Sequence, residues 1–396
     1  MLDLLPAARV DPLWAVAAQL LADERSGVLD LVVGVYRDES GRTPVMRAVR
    51  EVEAALAAEE ASKGYKGLSG NGHFNEAMTR LVLGSDELVA RATTVQTVAG
   101  TGALRLLTEL AARAVPGGTV WISDPGYVNH EPVARAAGMD VRRYRYLGAD
   151  GAADGDAILR QLAEARPHDV VVVQGACHNP TGADLDAEWW SAFADLTARR
   201  GIMPLVDLAY QGFGRGLEED AHGLQILASR VEQVLVAVSC SKNFGLYSER
   251  TGCAIVLDAD AARGGLIRGH LETIARAAYS QPPDHGAAVV AEILASPDLR
   301  LTWEAELTAM RERVTEIRFA LRRAFAEAGL GDGWLAVGEH RGLFSTLPLT
   351  VEQSRRLRRG CGVYTADTGR INVAGLGLHE VDRLAAAVAS VVSGRA

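Results

Sequence analysis

Lysine is nearly missing from this 396-residue chain. Lys63, Lys66 and Lys242 are the only lysines among its 41 basic residues; arginine supplies the rest. Arginine stays protonated and cannot act as a nucleophilic amine, whereas lysine can lose its proton. One of the three stands directly after an apolar run, in "VLVAVSCSKNFGLYSERTG", residues 234–252. That makes Lys242 a candidate for chemistry rather than a solvated charge.

Other scarcities exclude whole classes of function. The four cysteines, Cys177, Cys240, Cys253 and Cys361, form no CxxC pair. They predict reduced thiols in a cytoplasm, not a disulfide framework or a zinc site. The nine histidines show no HExxH or comparable metal spacing. No uncharged apolar stretch is long enough to span a bilayer, so no membrane partner is expected. The N-terminal "MLDLLPAARVD" carries an acid at position 3 and no basic n-region, which argues against a signal peptide. A formal net charge of −9 argues against a nucleic-acid partner.

From about residue 90 to 260, apolar runs alternate with amphipathic segments. The predicted strands are "TTVQTVAG", "GTVWISDP", "MDVRRYRYL", "DVVVVQGA", "GIMPLVDLAY", "QVLVAVSCS" and "GCAIVLD". Between them, "GALRLLTELAARAV", "AEWWSAFADLTARRG" and "HGLQILASRV" have helical spacing. The pattern predicts an α/β fold, a mostly parallel seven-stranded sheet between helices. Residues 285–329 are mostly helix-periodic. Short predicted strands follow at "WLAVGE", "LFSTLPL" and "RINVAG", with helices at "VEQSRRLRRG" and "LHEVDRLAAAVASVV". The expected division is a large domain over 37–300 and a smaller α+β domain. Residues 1–36, with "DPLWAVAAQLLADERSG" as their helix, and 301–396 make up the smaller one.

In an open α/β sheet, ligands bind outside the carboxyl ends of the strands. Five such ends carry polar groups. They supply Gly100-Thr101-Gly102 opening a helix, then Tyr127 to His130, then Cys177-His178-Asn179-Pro180-Thr181-Gly182. Asp207 with Tyr210, and Ser239 with Lys242 and Arg250, complete the set. "GTGALR" is not a dinucleotide fingerprint, because Arg105 stands at its sixth position. A helix start bearing a glycine and a hydroxyl is nevertheless a ready anion site. Each residue alone has an ordinary reading as cap, turn or core. Together, the amine, anion pocket, acid, phenol and stacking ring match what pyridoxal phosphate requires.

The chain resembles a class I pyridoxal-phosphate aminotransferase of fold type I, in the aspartate/aromatic amino acid subgroup. The matching stretches are "GVYRDESGRTPVMRAV", "GTGALR", "NHEPV", "CHNPTG", "DLAYQGF", "SKNFGLYSERTG", "YSQPPDHGA", "GLFS" and "GRINVAGL". They run in order from about residue 30 to 380. The resemblance implies that Lys242 forms a Schiff base with the cofactor and then shuttles a proton. Asp207 would pair with the pyridine nitrogen, backed by His130; Tyr210 and Asn179 would hold the phenolic oxygen; Tyr127 would stack on the ring. Gly100, Thr101, Ser239 and Arg250 would bind the phosphate, joined by Tyr65 from a neighbouring subunit. Arg370 would clamp the substrate α-carboxylate, helped by Asn179 and the Gly34 backbone. Arg276 would cross a homodimer interface to a side-chain carboxylate.

Several positions depart from the subgroup. Tyr127 stands where tryptophan is usual, Gln281 replaces an asparagine, and Ala278 and Thr346 lie where bulkier or more polar residues are common. The expected reaction is transfer of an amino group between an acidic or aromatic L-amino acid and a 2-oxo acid such as 2-oxoglutarate. The alternative on the same fold is β- or γ-elimination or replacement, which the same lysine and cofactor can support.

Overall fold

The computed structural model describes residues 2–5, 11–59 and 62–394. Residues 1, 6–10, 60, 61, 395 and 396, which include both ends of the expected small domain, lie outside the described residues. The strands in chain order are β1 (Leu29–Asp30), β2 (Ala92–Val98), β3 (Thr119–Asp124), β4 (Asp140–Arg145), β5 (Val170–Gln174) and β6 (Met203–Leu208). They continue with β7 (Gln233–Ser239), β8 (Thr251–Asp258), β9 (Phe344–Thr346), β10 (Val363–Tyr364) and β11 (Arg370–Asn372).

Seven strands form one sheet in the order β2-β8-β7-β6-β5-β3-β4. All neighbours are parallel except β8, which runs antiparallel to both β2 and β7. This is the mostly parallel sheet that the alternating pattern predicts. The continuous β-branched runs have the expected cause: both faces are covered. Every position of β5 and β8 is buried. Trp189, Trp190 and Phe193, from the Ala187–Arg200 helix, belong to the core on one face. Leu104, Leu107, Leu271 and Ile274 pack on the other. Parallel strands need such helical crossovers, and the crossovers exclude water from the sheet.

Reversal of β8 leaves β2, β3, β5, β6 and β7 pointing the same way, so their carboxyl ends share an edge. In register, Gln174 on β5 lies beside Asp207 on β6, and Asp207 beside Ala237 on β7. The strand ends are therefore level, which brings their loops together.

Outside the sheet, β9 pairs with β11 antiparallel, with Thr346 opposite Arg370. The N-terminal segment joins the C-terminal part through the parallel pair β1–β10, in which Leu29 meets Val363. These two-residue strands are too short to leave a periodic signal. Among the described residues no helix is long and apolar enough to cross a membrane.

Three element readings need correction. "WLAVGE" is not a strand: Asp332–Leu335 is a helical turn, followed by a 3-10 turn over Ala336–Gly338. Trp334 and Val337, three apart, are both buried, and the Trp334 ring meets Phe325 edge-on at 5.9 Å. Their period of three is helical, whereas a strand needs two. The N-terminal helix ends at Leu21 rather than running through "ADERSG". There the chain turns, and Asp23 accepts hydrogen bonds from Arg25 and the Tyr364 hydroxyl (2.7 Å for the latter). The first sheet strand stops at Val98, and Ala99, at φ 53°, opens the next helix.

Candidate active site

The five strand ends line a pocket that is open to solvent, with about 470 Å³ of empty space out to its mouth. Its lining includes Gly100, Thr101, Tyr127, Asn179, Asp207, Tyr210, Ser239, Lys242 and Arg250. Nine residues singled out in the sequence thus share one wall.

The phosphate-sized corner lies where β2 turns into the Ala99–Ala114 helix. Its N-cap residue, Val98, makes no side-chain capping bond, so the first-turn N–H groups can face an anion. Ala99 N–H donates to the Arg250 carbonyl at 2.8 Å, and both residues hold positive φ (53° and 54°). Left-handed non-glycine residues are strained, and such strain gathers at functional sites. A Cβ on Gly100 would sit 3.1 Å from the Ser239 Cβ, closing the gap between the helix start and the serine loop. The Ser239 and Ser241 hydroxyls stand 3.1 Å apart on the next loop.

Lys242 follows that loop. The long Pro297–Glu327 helix anchors it from behind: Trp303 stacks on Phe244 at 4.4 Å and donates to the Asn243 carbonyl at 2.7 Å. Lys242 Nζ lies 5.3 Å from the Tyr210 ring centroid. Burial pulls its pKa down to about 8; Asp207 opposes this and Arg250 adds to it. A lysine so placed is a readily available amine.

At the back, His130 Nε2 lies 2.9 Å from one Asp207 carboxylate oxygen, and both residues are buried. The other ring nitrogen of His130 has no partner among the described residues. Asn179 donates to the Tyr210 hydroxyl at 3.3 Å. Burial raises the Tyr210 phenol, with Tyr127 and Asp207 adding. The Tyr127 ring meets His130 edge-on at 5.3 Å, and burial raises its phenol also.

An outer cavity opens beyond Tyr127 and Asn179, lined by Leu13, Val128, Thr346 and Arg370. Arg370 is buried, donates to the Val32 carbonyl at 2.7 Å, and lies 4.5 Å over the Phe344 ring. Among the described residues its buried Nε has no partner, and burial lowers its pKa. Gly34 is demanded by Phe344: a Cβ there would fall 2.5 Å from the ring's Cζ. Asn372 pins the same segment, donating to the Val33 and Val35 carbonyls at 2.7 Å each.

Two expected site residues lie elsewhere. Tyr65 is 94% exposed on the single chain. Arg276 is exposed on the Gly264–Ala278 helix and donates to Ser280 Oγ at 2.6 Å. Neither lines the cavity. Conversely, sequence reading missed Gln174. Its amide clamps the Asn179 main chain, accepting from N and donating to O at 2.8 Å each. The signal was there: a polar residue closing the fully buried run "VVVVQ".

The cavity fits a phosphorylated pyridine aldehyde on these observations: an uncapped helix start, a buried acid, a phenol–amide pair and a lysine with a lowered pKa share one wall. The aminotransferase class I and II family profile matches residues 26–388. An aromatic-amino-acid aminotransferase of Paracoccus denitrificans is 43% identical over 392 residues, covering 99% of this chain and 100% of that one. An aspartate aminotransferase of Escherichia coli is 41% identical over 396 residues, at 99% and 100% coverage. The crystal structure of an aromatic-amino-acid aminotransferase from Burkholderia pseudomallei, covalently bound to pyridoxal phosphate, superimposes with a TM-score of 0.95. It is 35% identical and covers 99% of each chain. The chain belongs to the class I and II aminotransferase family. It is an aminotransferase with the fold type I architecture.

Proposed function

We propose that this enzyme binds pyridoxal phosphate in the strand-end cavity and moves amino groups between L-amino acids and 2-oxo acids. The convergence of Lys242, Asp207, Tyr210, Asn179 and Arg250 on one cavity carries the reading. Pyridoxal phosphate, when bound, supplies a carbonyl for an amine and a ring that withdraws electrons from the substrate α-carbon.

The chain's own groups do the rest. Lys242 Nζ would hold the cofactor covalently and, once the substrate amine has displaced it from that bond, would be a free amine placed to move a proton at the α-carbon. Asp207, backed by His130, keeps a positive charge on the pyridine nitrogen. Tyr210 and Asn179 hold the phenolic oxygen, Tyr127 covers the ring, and Gly100, Thr101, Ser239 and Arg250 hold the phosphate. Arg370 binds the α-carboxylate as a two-pronged pair, helped by Asn179 and the Gly34 backbone. The two exposed residues fit a homodimer. There Tyr65 reaches the other subunit's phosphate, and Arg276 its substrate's side-chain carboxylate. A site built from two copies implies two-fold symmetry.

Acidic and aromatic amino acids are the favoured substrates, by analogy with the Paracoccus and Escherichia coli relatives. Both relatives support transamination over elimination. Four free cysteines, three of them buried, support a cytoplasmic setting. The division into a large domain (37–300) and a small one (1–36 and 301–396) places the joint within the Pro297–Glu327 helix.

The test is a panel of L-amino acids given to holoenzyme without any oxo acid. One equivalent of the matching 2-oxo acid per subunit, with turnover resuming when 2-oxoglutarate is added, is the expected result. Continuous release of ammonia or of a side-chain leaving group without an oxo acid would replace transamination by elimination.

A further inference from the structure

We infer that Arg318, which lies outside both cavities, positions the carboxylate clamp by fixing the main chain of residues 341–345. The inference rests on the reading of Arg370 as that clamp.

Arg318 projects from the Pro297–Glu327 helix and is 1% exposed. Its Nη1 donates to the Val337 carbonyl (3.2 Å) and to Ser345 Oγ (2.7 Å). Its Nη2 donates to the carbonyls of Arg341 (3.2 Å), Gly342 (2.6 Å) and Phe344 (2.8 Å). No carboxylate is among these partners. Asp184 acts on it electrostatically without hydrogen-bonding to it, and burying a guanidinium that has no directly paired carboxylate is costly. A hydrophobic side chain could fill the space, so what the arginine adds is a fork that ties five oxygens in one geometry.

The tied segment serves the clamp in two ways. The Phe344 ring lies under Arg370 and meets Tyr210 edge-on at 6.1 Å. Gly34 leaves room at its Cζ edge. On β9, Phe344 and Thr346 pair with Asn372 and Arg370. The same segment also holds the Asn179 loop. Arg341 N–H donates to the Gly182 carbonyl at 2.7 Å, and the Thr346 hydroxyl to the Pro180 carbonyl at 3.1 Å. Gly182 has φ +75°, and a Cβ on it would strike the Phe344 carbonyl at 2.4 Å. Two of the three groups proposed for the α-carboxylate, Asn179 and Arg370, are thus aligned by one segment that Arg318 fastens.

The test compares holoenzyme variants Arg318→Lys, Arg318→Met, Phe344→Leu and Arg370→Lys. The readouts are steady-state kinetics and the Kd of 3-phenylpropionate, a carboxylate lacking the amino group. Arg318→Met and Phe344→Leu should each raise KM and the Kd by about tenfold, with kcat within about twofold. Lysine keeps the charge but cannot span the five oxygens, so Arg318→Lys should recover only part of the loss. If Arg318→Met does not fold, Phe344→Leu and Arg318→Lys decide. Unchanged carboxylate affinity in the folded Arg318 and Phe344 variants, while Arg370→Lys loses it, would overturn the inference alone. Unchanged affinity in Arg370→Lys would overturn the reading of the clamp, and the inference with it.

Discussion

Replacing Lys242 with methionine should make the cofactor-free protein more stable, by an amount that shrinks as pH rises. The Lys242 side chain is half-buried beside the Tyr210 ring, and desolvation there lowers its pKa from the ordinary 10.5 to about 8. The folded-state pKa lies below the unfolded one, so the native state binds the proton less well. Below about pH 8 both states are protonated, and the fold bears the full penalty of holding the cation, about 3 kcal/mol. Between about pH 8 and 10.5 the folded protein has released its proton while the unfolded chain has not, and the penalty fades. Methionine is close in length and carries no charge. The expected gain is about 3 kcal/mol near pH 6.5 and about half of that near pH 9.5.

Urea unfolding of both cofactor-free proteins at those two pH values, at one fixed protein concentration, measures the difference. The change between the two pH values matters more than either absolute gain. A packing effect of methionine shifts both by the same amount and cancels, whereas the titration does not. A gain that is the same at both pH values would refute the claim that a half-buried, easily deprotonated amine stands at 242.

Three further substitutions test the proposed roles. Arg276→Ala should lower kcat/KM for dicarboxylic substrates by about a hundredfold or more and for aromatic ones by less than about threefold; equal losses would mean that Arg276 does not read the side chain. Asp207→Asn should cut kcat by about a hundredfold or more while thermal unfolding stays near wild type, because a neutral amide cannot hold a protonated ring nitrogen; near-normal turnover would remove Asp207 from the chemistry. Gly34→Ala places a Cβ 2.5 Å from Phe344 Cζ, which must push the ring from beneath Arg370. KM should rise by about tenfold, with a stability loss of about 1–3 kcal/mol; an unchanged KM would show that Phe344 does not carry the clamp.

The central sheet was legible because its faces are both covered. Continuous runs such as "VVVV" in β5 appear where no strand position meets water, and turn signals bound them. The cavity followed from topology, since functional groups at the carboxyl ends of parallel strands must converge. What stayed hidden depends on three-dimensional partners. The β1–β10 pair joins residues 29–30 to 363–364, and a two-residue strand has no period to read. "WLAVGE" has apolar residues compatible with either period, and the Phe325 ring decides for the helical turn. Arg318 looks like any other arginine on an amphipathic helix. That its guanidinium meets backbone carbonyls rather than solvent is set by a loop more than twenty positions away in the chain.

The positions that depart from the subgroup point to specificity as the variable. Thr346 is not a loose polar group in the substrate mouth, since its hydroxyl is spent on the Pro180 carbonyl. Gln281 Oε1 accepts from the Gly67 N–H at 3.1 Å, two residues from Tyr65. Lys66 and Asn71 both reach Asp284, at 3.6 and 2.9 Å, fastening the same two segments a second time. The changes at Thr346 and Gln281 therefore act on how the Asn179 turn and the Tyr65 loop are held, not on the groups that would meet the cofactor. Tyr127 is the exception, because its ring faces both cavities. A smaller ring with a hydroxyl leaves more room between the cofactor position and the substrate mouth than tryptophan would. Tyr127→Trp should accordingly narrow the range of accepted substrates, penalising aromatic amino acids more than aspartate or glutamate in kcat/KM. Relative rates across the amino-acid panel measure this, and a uniform change across the panel would locate the specificity elsewhere.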